Sequence, residues 1–434
     1  MEMSQQVERL FARRRFGIKP GLESERELLE VLGNPERSFA AVHVAGTNGK
    51  GSVSAILASV LTAAGFRTGL FTSPHLVRLN ERFRVNRDMV DDAMLTRLMG
   101  RVEQAAEAIE AGSETQVTFF ECCTAMAFEH FKANKVQLAV LETGMGGRLD
   151  ATSVVTPAVS VITRIAMDHT AYLGDDLVTI AREKGGIIKP DRPVVIGAMP
   201  PEARDVLVQL AREHKAPLRD AADSVSIDLL KADLDGQCVK IETSQRSFPP
   251  VTVPLLGEYQ LENLALAVAT CEVLRDEVQL PLTDEALVEG VTTTHWEGRL
   301  QVLQQDPPVL VDGAHNPDAA HALARSLKRL VKGRPVALVL GMCADKHIRG
   351  TLQELAALKA HVWTVPLANE RGLPAGDLQQ LATSVGMDAI ATDDLQTALA
   401  QASDWAGERD GAVCVAGSLF LAGELLQLWK AGNR

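Results

Sequence analysis

Long apolar runs are missing from this chain of 434 residues. None approaches the roughly 20 consecutive apolar residues a membrane helix needs. The opening stretch MEMSQQVERLFARRRFG has no apolar core of the kind a secretory signal carries. No membrane contact is expected, and a cytoplasmic location follows by default. An excess of positive charge is missing too: 44 Lys and Arg face 56 Asp and Glu, a formal net charge of −12, which argues against a general nucleic-acid binder. FARRRFG (Phe11 to Gly17) is the one basic cluster and reads as a solvated helix end, so anionic substrates must be met by local positive groups. Cysteine is sparse and unpatterned. Cys122, Cys123, Cys238, Cys271, Cys343 and Cys414 lack metal-type spacing, and most lie in apolar stretches, which points to buried thiols rather than a zinc site or disulfide framework. Repeats and low-complexity segments are absent.

What is present is the composition of a globular protein, 46% hydrophobic and 23% charged, in a chain long enough for two or three domains. Apolar β-rich runs at Phe39–Gly46, Arg67–Ser73, Val136–Glu142, Ala158–Arg164 and Pro193–Ala198 are separated mostly by helical patterns. The first such helix, Lys50–Gly65, ends on a glycine cap. That alternation predicts βαβ crossovers and a doubly wound, mainly parallel sheet. Short β-rich stretches between Val225 and Pro254 suggest hairpins along one edge, and a helix follows at Glu258–Leu274. A second α/β segment restarts with strands at Val309–Asp312, Arg334–Gly341, His361–Leu367 and Ala412–Ser418 and a helix from Pro317. The boundary is placed near Thr294–Gly298, giving domains 1–296 and 297–434.

The stretch HVAGTNGKGSV (His43 to Val53) joins a strand to a helix through glycines. Unsatisfied backbone N–H groups and the positive end of the helix dipole meet there, so it should bind phosphate. Gly46 and Gly49 permit close approach, and Lys50 would reach the β/γ-phosphates of a nucleotide. A strict phosphate loop places a hydroxyl after its lysine; here Gly51 stands instead. Ser52 is one substitute ligand for Mg²⁺. Ser73, at the end of the next strand, is another, with a turn hydroxyl as its bland alternative. Glu142 ends an apolar strand and should emerge at the same rim as a hard oxygen ligand, or else be a buried, salt-bridged glutamate. Asp168 and His169 repeat the arrangement beyond the next strand. Lys184, before two glycines, either pairs with its own helix dipole or, carbamylated, offers two oxygens to a second metal.

HVAGTNGKGS, TSPHL, TFFE, LETGMGGRLDAT, IAMDHT, EKGGIIK, GRL (Gly298 to Leu300) and DGAHNP (Asp312 to Pro317) follow one another across nearly the whole chain. Together they resemble the folylpolyglutamate synthase and dihydrofolate synthase family of the Mur-type ligases. The resemblance implies an α/β fold with an N-terminal P-loop ATPase-like domain and a smaller Rossmann-like C-terminal domain, the active site lying between them. It implies that the loop Gly46, Thr47, Asn48, Gly49, Lys50, Gly51 and Ser52, with Gln260, Asn263, Arg299 and Asp312, binds ATP. Ser73 and Glu142 would hold one Mg²⁺, with Glu142 and His169 near a second, and Lys184 would be carbamylated. Catalytic roles fall to Lys50, Lys184, Asp312 and His315. Gly21, Leu22, Glu23, Thr118, Phe120, Asp150 and Ala151 match a pterin-binding region, and His315 and Ser418 also belong to the substrate side. The implied activity is ATP-dependent ligation of L-glutamate to 7,8-dihydropteroate and to reduced folates, by a monomer whose partners are small molecules. Thr143, Met145, Ser153, Arg164 and Gly185 depart from the family pattern, Arg164 standing where a small polar residue is common.

Overall fold

The computed structural model describes residues 3–13, 21–112 and 116–432; Arg14 to Gly17 of the basic cluster lie outside them. Eight strands, β1 (Ala40–Ala45), β2 (Thr68–Phe71), β3 (Phe83–Val85), β4 (Asp88–Met89), β5 (Leu138–Glu142), β6 (Val159–Ile162), β7 (Val194–Ile196) and β8 (Leu218–Asp220), make one sheet in the order β4-β3-β2-β5-β1-β6-β7-β8. From β2 to β8 all neighbours are parallel, and β3 and β4 extend the edge antiparallel. The central strands are apolar throughout because both faces are covered. Val42, Val44 and Val140 point into a core shared with the helix Lys50–Ala63, and Ala41, Ala139 and Leu141 into one shared with the helix Phe119–Ala133.

The β-rich stretch expected to add hairpins to an edge does not join this sheet. β9 (Val225–Asp233), β10 (Gly236–Thr243) and β11 (Val251–Val253) form a separate three-stranded antiparallel sheet. Its side chains Val239, Ile241, Val251 and Val253 pack into the core with the helices Lys50–Ala63, Glu258–Asp276 and Asp284–Thr292. Burial against helices therefore places it, rather than backbone pairing to an edge.

The C-terminal sheet has the order β12-β13-β17-β14-β15-β16, from β12 (Gln301–Gln305), β13 (Pro308–Val311), β14 (Val336–Leu340), β15 (His361–Thr364), β16 (Asp388–Ala391) and β17 (Ala412–Ala416). Only β12 is antiparallel. Both faces carry apolar cores, so the chain is α/β with two doubly wound sheets, as expected. The six cysteines are free thiols, buried except for the half-buried Cys238. Among the described residues no helix is long and apolar enough to cross a membrane.

Candidate active site

Parallel pairing brings the carboxyl ends of β1, β2, β5 and β6 to one rim. Val44 on β1 is in register with Glu142, the last residue of β5, and Phe71 on β2 with Leu141. The loops leaving these strands carry Gly46–Ser52, Ser73, Glu142 and His169, and they face the C-terminal sheet across a cavity of about 600 Å³. Its wall includes Gly46 to Ser52, Ser73, Glu142, His169, Lys184, Asn263, Arg299, Asp312, His315 and Ser418.

The phosphate loop is held from below by strand β6. Thr47 N and Asn48 N donate to Arg164 O at 2.8 and 3.3 Å, and Thr163 Oγ1 donates to Asn48 O at 2.7 Å. Gly49 adopts φ 91°, and a Cβ there would run into the Asn263 amide. No side chain caps the helix Lys50–Ala63 at Gly49, so its first N–H groups point at the cavity as anion donors. Lys50 Nζ lies over the loop, donating to Gly46 O at 3.0 Å and Thr47 O at 3.2 Å.

Glycine at 51 has a steric cause. A Cβ on it would stand 2.9 Å from Trp296 Nε1 and 3.1 to 3.2 Å from carbons of the same indole. Of the two substitute hydroxyls, Ser52 is buried and accepts from Gln260 Nε2 at 3.2 Å; Asn263 Nδ2 in turn donates to Gln260 Oε1 at 2.8 Å. Gln260 thus braces the loop from behind and is not part of the cavity wall. Ser73 sits beside Glu142, its N–H donating to Glu142 Oε2 at 3.1 Å.

Glu142 is buried and makes no ion pair within 4.0 Å among the described residues. Burial pushes its carboxyl up, while Lys50, the Ser73 N–H, Arg299 and Arg82 pull it down. A single buried carboxylate with a neighbouring hydroxyl and flanking cations suits Mg²⁺, which takes one or two carboxylates and fills its octahedron with phosphate and water oxygens. Among the described residues no three His, Cys, Asp or Glu side chains converge as a preformed metal cage. His169 takes left-handed backbone, and burial, with Lys346, Lys50 and Lys184 nearby, lowers its imidazole to about 4 against the opposing Asp168, leaving the neutral form at neutral pH.

Lys184 does not pair with its own helix end. Its Nζ reaches across to Gly46 O at 2.8 Å, and burial, then the charge of Lys50, lowers the amine to about 7.

From the C-terminal side, Asp312 is buried and spends its carboxylate on Tyr259 OH at 2.9 Å, Leu300 N at 2.8 Å and Ala314 N at 2.8 Å. It fixes the turns carrying Arg299 and His315. His315 Nδ1 meets Gly313 O at 2.8 Å, and its Nε2 lies 3.5 Å from Asp168 Oδ2. Lys346 Nζ donates to Asp168 Oδ1 at 2.7 Å, and contact with His315, then His169 and Lys346, holds the Asp168 carboxyl well below the usual carboxylate range despite burial.

The far wall contains Gly21, Thr118, Phe119, Phe120, Glu121, Asp150 and Ala151. Asp150 accepts from Gly144 N (2.8 Å), Met145 N (2.9 Å), Thr152 N (3.1 Å) and Thr152 Oγ1 (2.5 Å), so its side chain is spent on shaping the loop. Glu121 closes a capping box with Thr118 and accepts the Ser24 hydroxyl. Leu22 and Glu23 are not brought to the wall: the chain turns at Gly21 into the helix Glu23–Val31, which buries Leu22 and exposes Glu23.

Sequence reasoning missed Lys346, Asp318, Arg82, Tyr259 and Arg371, all on the cavity wall. Lys346 follows β14 as Asp168 follows β6, and the rule that strand carboxyl ends carry the site would have found it.

Two family models match. The Mur ligase middle domain covers residues 44–271, and the Mur ligase glutamate ligase domain covers residues 298–419. The folylpolyglutamate synthase of Lacticaseibacillus casei is 35% identical over 409 residues, 94% of each chain. The dihydrofolate synthase/folylpolyglutamate synthase of Bacillus subtilis is 37% identical over 350 residues, 80% of this chain and 81% of that one. A Mycobacterium tuberculosis folylpolyglutamate synthase solved with ADP superposes with a TM-score of 0.91 at 31% identity, covering 98% of both chains. An Escherichia coli FolC solved with DHPP and ADP gives 0.86 at 30% identity over 99% of this chain and 98% of that one. On sequence, fold and the shared pair of ligase domains, the chain belongs to the folylpolyglutamate synthase and dihydrofolate synthase family of Mur-type ligases.

Proposed function

We propose that this ligase joins L-glutamate to 7,8-dihydropteroate, giving dihydrofolate, and extends reduced folates by γ-glutamylation. It acts as a cytoplasmic monomer with an ATP-binding lobe, residues 1–296, and a glutamate-ligase lobe, residues 297–434. The observation that carries the reading is the single cavity in which the phosphate loop, Glu142 with Ser73, His315 with Ser418, and the Thr118–Phe120–Ala151 wall converge. Relatives named for both activities, and the Escherichia coli protein solved with DHPP and ADP, support the double specificity.

Amide formation in water is uphill, so the acceptor carboxylate first attacks the γ-phosphorus of ATP. ADP leaves and an acyl phosphate forms. The glutamate nitrogen, having lost a proton, then attacks the acyl carbon, the C–O bond to phosphate breaks, and phosphate departs. Lys50 and the N–H groups of Gly49 to Gly51 meet the charge on the phosphates. Ser73 and Glu142 would hold one Mg²⁺, and Glu142, His169 and a carbamylated Lys184 would hold a second; such ions would neutralise the charge that phosphoryl transfer develops. Asp312 fixes the turn that would present His315 to the amine, and Arg299, on the same cavity wall, would face the nucleotide. The C-terminal lobe excludes water that would hydrolyse the acyl phosphate.

The assay is ADP release with ATP and L-glutamate, offering dihydropteroate, tetrahydrofolate or a UDP-muramoyl peptide precursor. Turnover with the first two supports the reading. Turnover with tetrahydrofolate alone restricts it to polyglutamylation, and turnover with the muramoyl compound alone, or without any acceptor, rejects it.

A further inference from the structure

The Asp318 carboxylate, in the first turn of the C-terminal helix Pro317–Leu330, is shared between two groups of the ATP-binding lobe. Arg164 Nε lies 2.8 Å from its Oδ1 and 2.9 Å from its Oδ2, and Asn48 Nδ2 donates to Oδ2 at 2.9 Å. The other end of the Asn48 amide accepts Asn316 Nδ2 at 3.0 Å. Asn48 belongs to the phosphate loop, two residues before Lys50, and its backbone rests on Arg164 O and Thr163 Oγ1. Both ends of one loop side chain are therefore bound by the opposite lobe, and the arginine beneath that loop grips the same carboxylate. Glu262, on the same lobe as Arg164, waits 3.9 Å from its Nη1.

We propose that Arg164 is a positioning residue that couples lobe closure to the shape of the phosphate loop. It seats Asp318 where Asp318 can hold Asn48. When the lobes part, Asn48 loses both side-chain partners and Arg164 falls back on Glu262, so the loop is set for phosphoryl transfer only while the glutamate-ligase lobe is docked. An exposed ion pair contributes little to stability by itself. Arg164 is 39% and Asp318 24% exposed at the side chain, so the effect lies in loop geometry and timing rather than in folding. The consequence for the reaction is that acyl phosphate forms only when the lobe that shields it and delivers the amine is in place.

The turnover part of the test rests on the ligase reading above; the conformational part does not. Arg164→Ser, Asp318→Ala, the double variant and Arg164→Lys are compared with the unmodified chain for melting temperature, ADP formed per amide bond formed, and radius of gyration with ADP and Mg²⁺ by small-angle X-ray scattering. Both single variants should melt like the parent, lose roughly tenfold in kcat, release more than one ADP per amide bond, and scatter as a more open particle. The double variant should lose no more than either single one, and Arg164→Lys should recover most of the coupling. A parent-like ADP-to-amide ratio and scattering curve in Arg164→Ser would overturn the proposal, as would losses that simply add in the double variant. If the parent forms no amide with any folate acceptor, the ligase reading falls, and the scattering comparison alone decides on the latch.

Discussion

The indole nitrogen of Trp296 would lie 2.9 Å from a Cβ placed on Gly51, and it has no hydrogen-bond partner among the described residues. The residue after the phosphate-loop lysine is thus kept bare by the segment that leads into the C-terminal lobe. Gly51→Ala should cost about 1–3 kcal/mol by overpacking and weaken ADP binding. In a Trp296→Leu background the same substitution should cost much less. Urea titration and calorimetry with ADP check this, and equal costs in both backgrounds would count against it.

His43 is fully buried in β1, with Nε2 2.7 Å from Thr152 Oγ1 and Nδ1 without a partner among the described residues. Burial, with a smaller push from Lys189, lowers it to about 3. The unfolded chain takes up this proton near the ordinary value of about 6.5. The neutral ring therefore contributes fully above that pH, and the contribution drains away toward pH 3. The stability advantage of the parent over His43→Gln should shrink by about 1.4 kcal/mol per pH unit below 6.5. Urea titrations at several acidic pH values measure it; a constant difference would contradict it.

Glu25 carries the opposite sign. It is fully buried, neither carboxylate oxygen has a partner among the described residues, and burial, with Glu121 and Asp150 close by, raises its carboxyl well above the usual value. The folded chain holds this proton to higher pH than the unfolded one, so stability is lost as pH rises from about 4.5 through the raised value. Glu25→Gln should gain on the parent as pH is raised from about 5 to about 8, seen as a widening gap in melting temperature. A gap that closes over that range would show the carboxylate to be charged and paired.

Lys184→Ala should abolish amide formation, and added short-chain carboxylates should restore part of it, since they can supply the oxygens of a lysine carbamate. Lowering the amine to about 7 raises the fraction in the neutral form that carbon dioxide needs. Full activity of the variant without rescue would remove the carbamate from the mechanism.

The rim of the first sheet was legible because each of its strands ends where an apolar run gives way to a glycine or polar residue: Ala45 to Gly46, Phe71 to Ser73, and Glu142. The edge strands β3, β4 and β16 are too short or too exposed to carry a period. The separate sheet β9–β11 looked like an edge addition, because alternation reports one buried face and not what buries it. Asp318 and Tyr259 were hidden for a deeper reason: their meaning comes from one lobe docking on another, and no local spacing encodes that. Trp296 was equally silent until its ring was seen against Gly51.

The acyl-phosphate route is tested most directly by isotope transfer. With ATP, L-glutamate and dihydropteroate bearing ¹⁸O in its carboxylate, one ¹⁸O should appear in the phosphate released for each amide bond formed. Amide product accompanied by unlabelled phosphate would contradict activation of the carboxylate in this cavity.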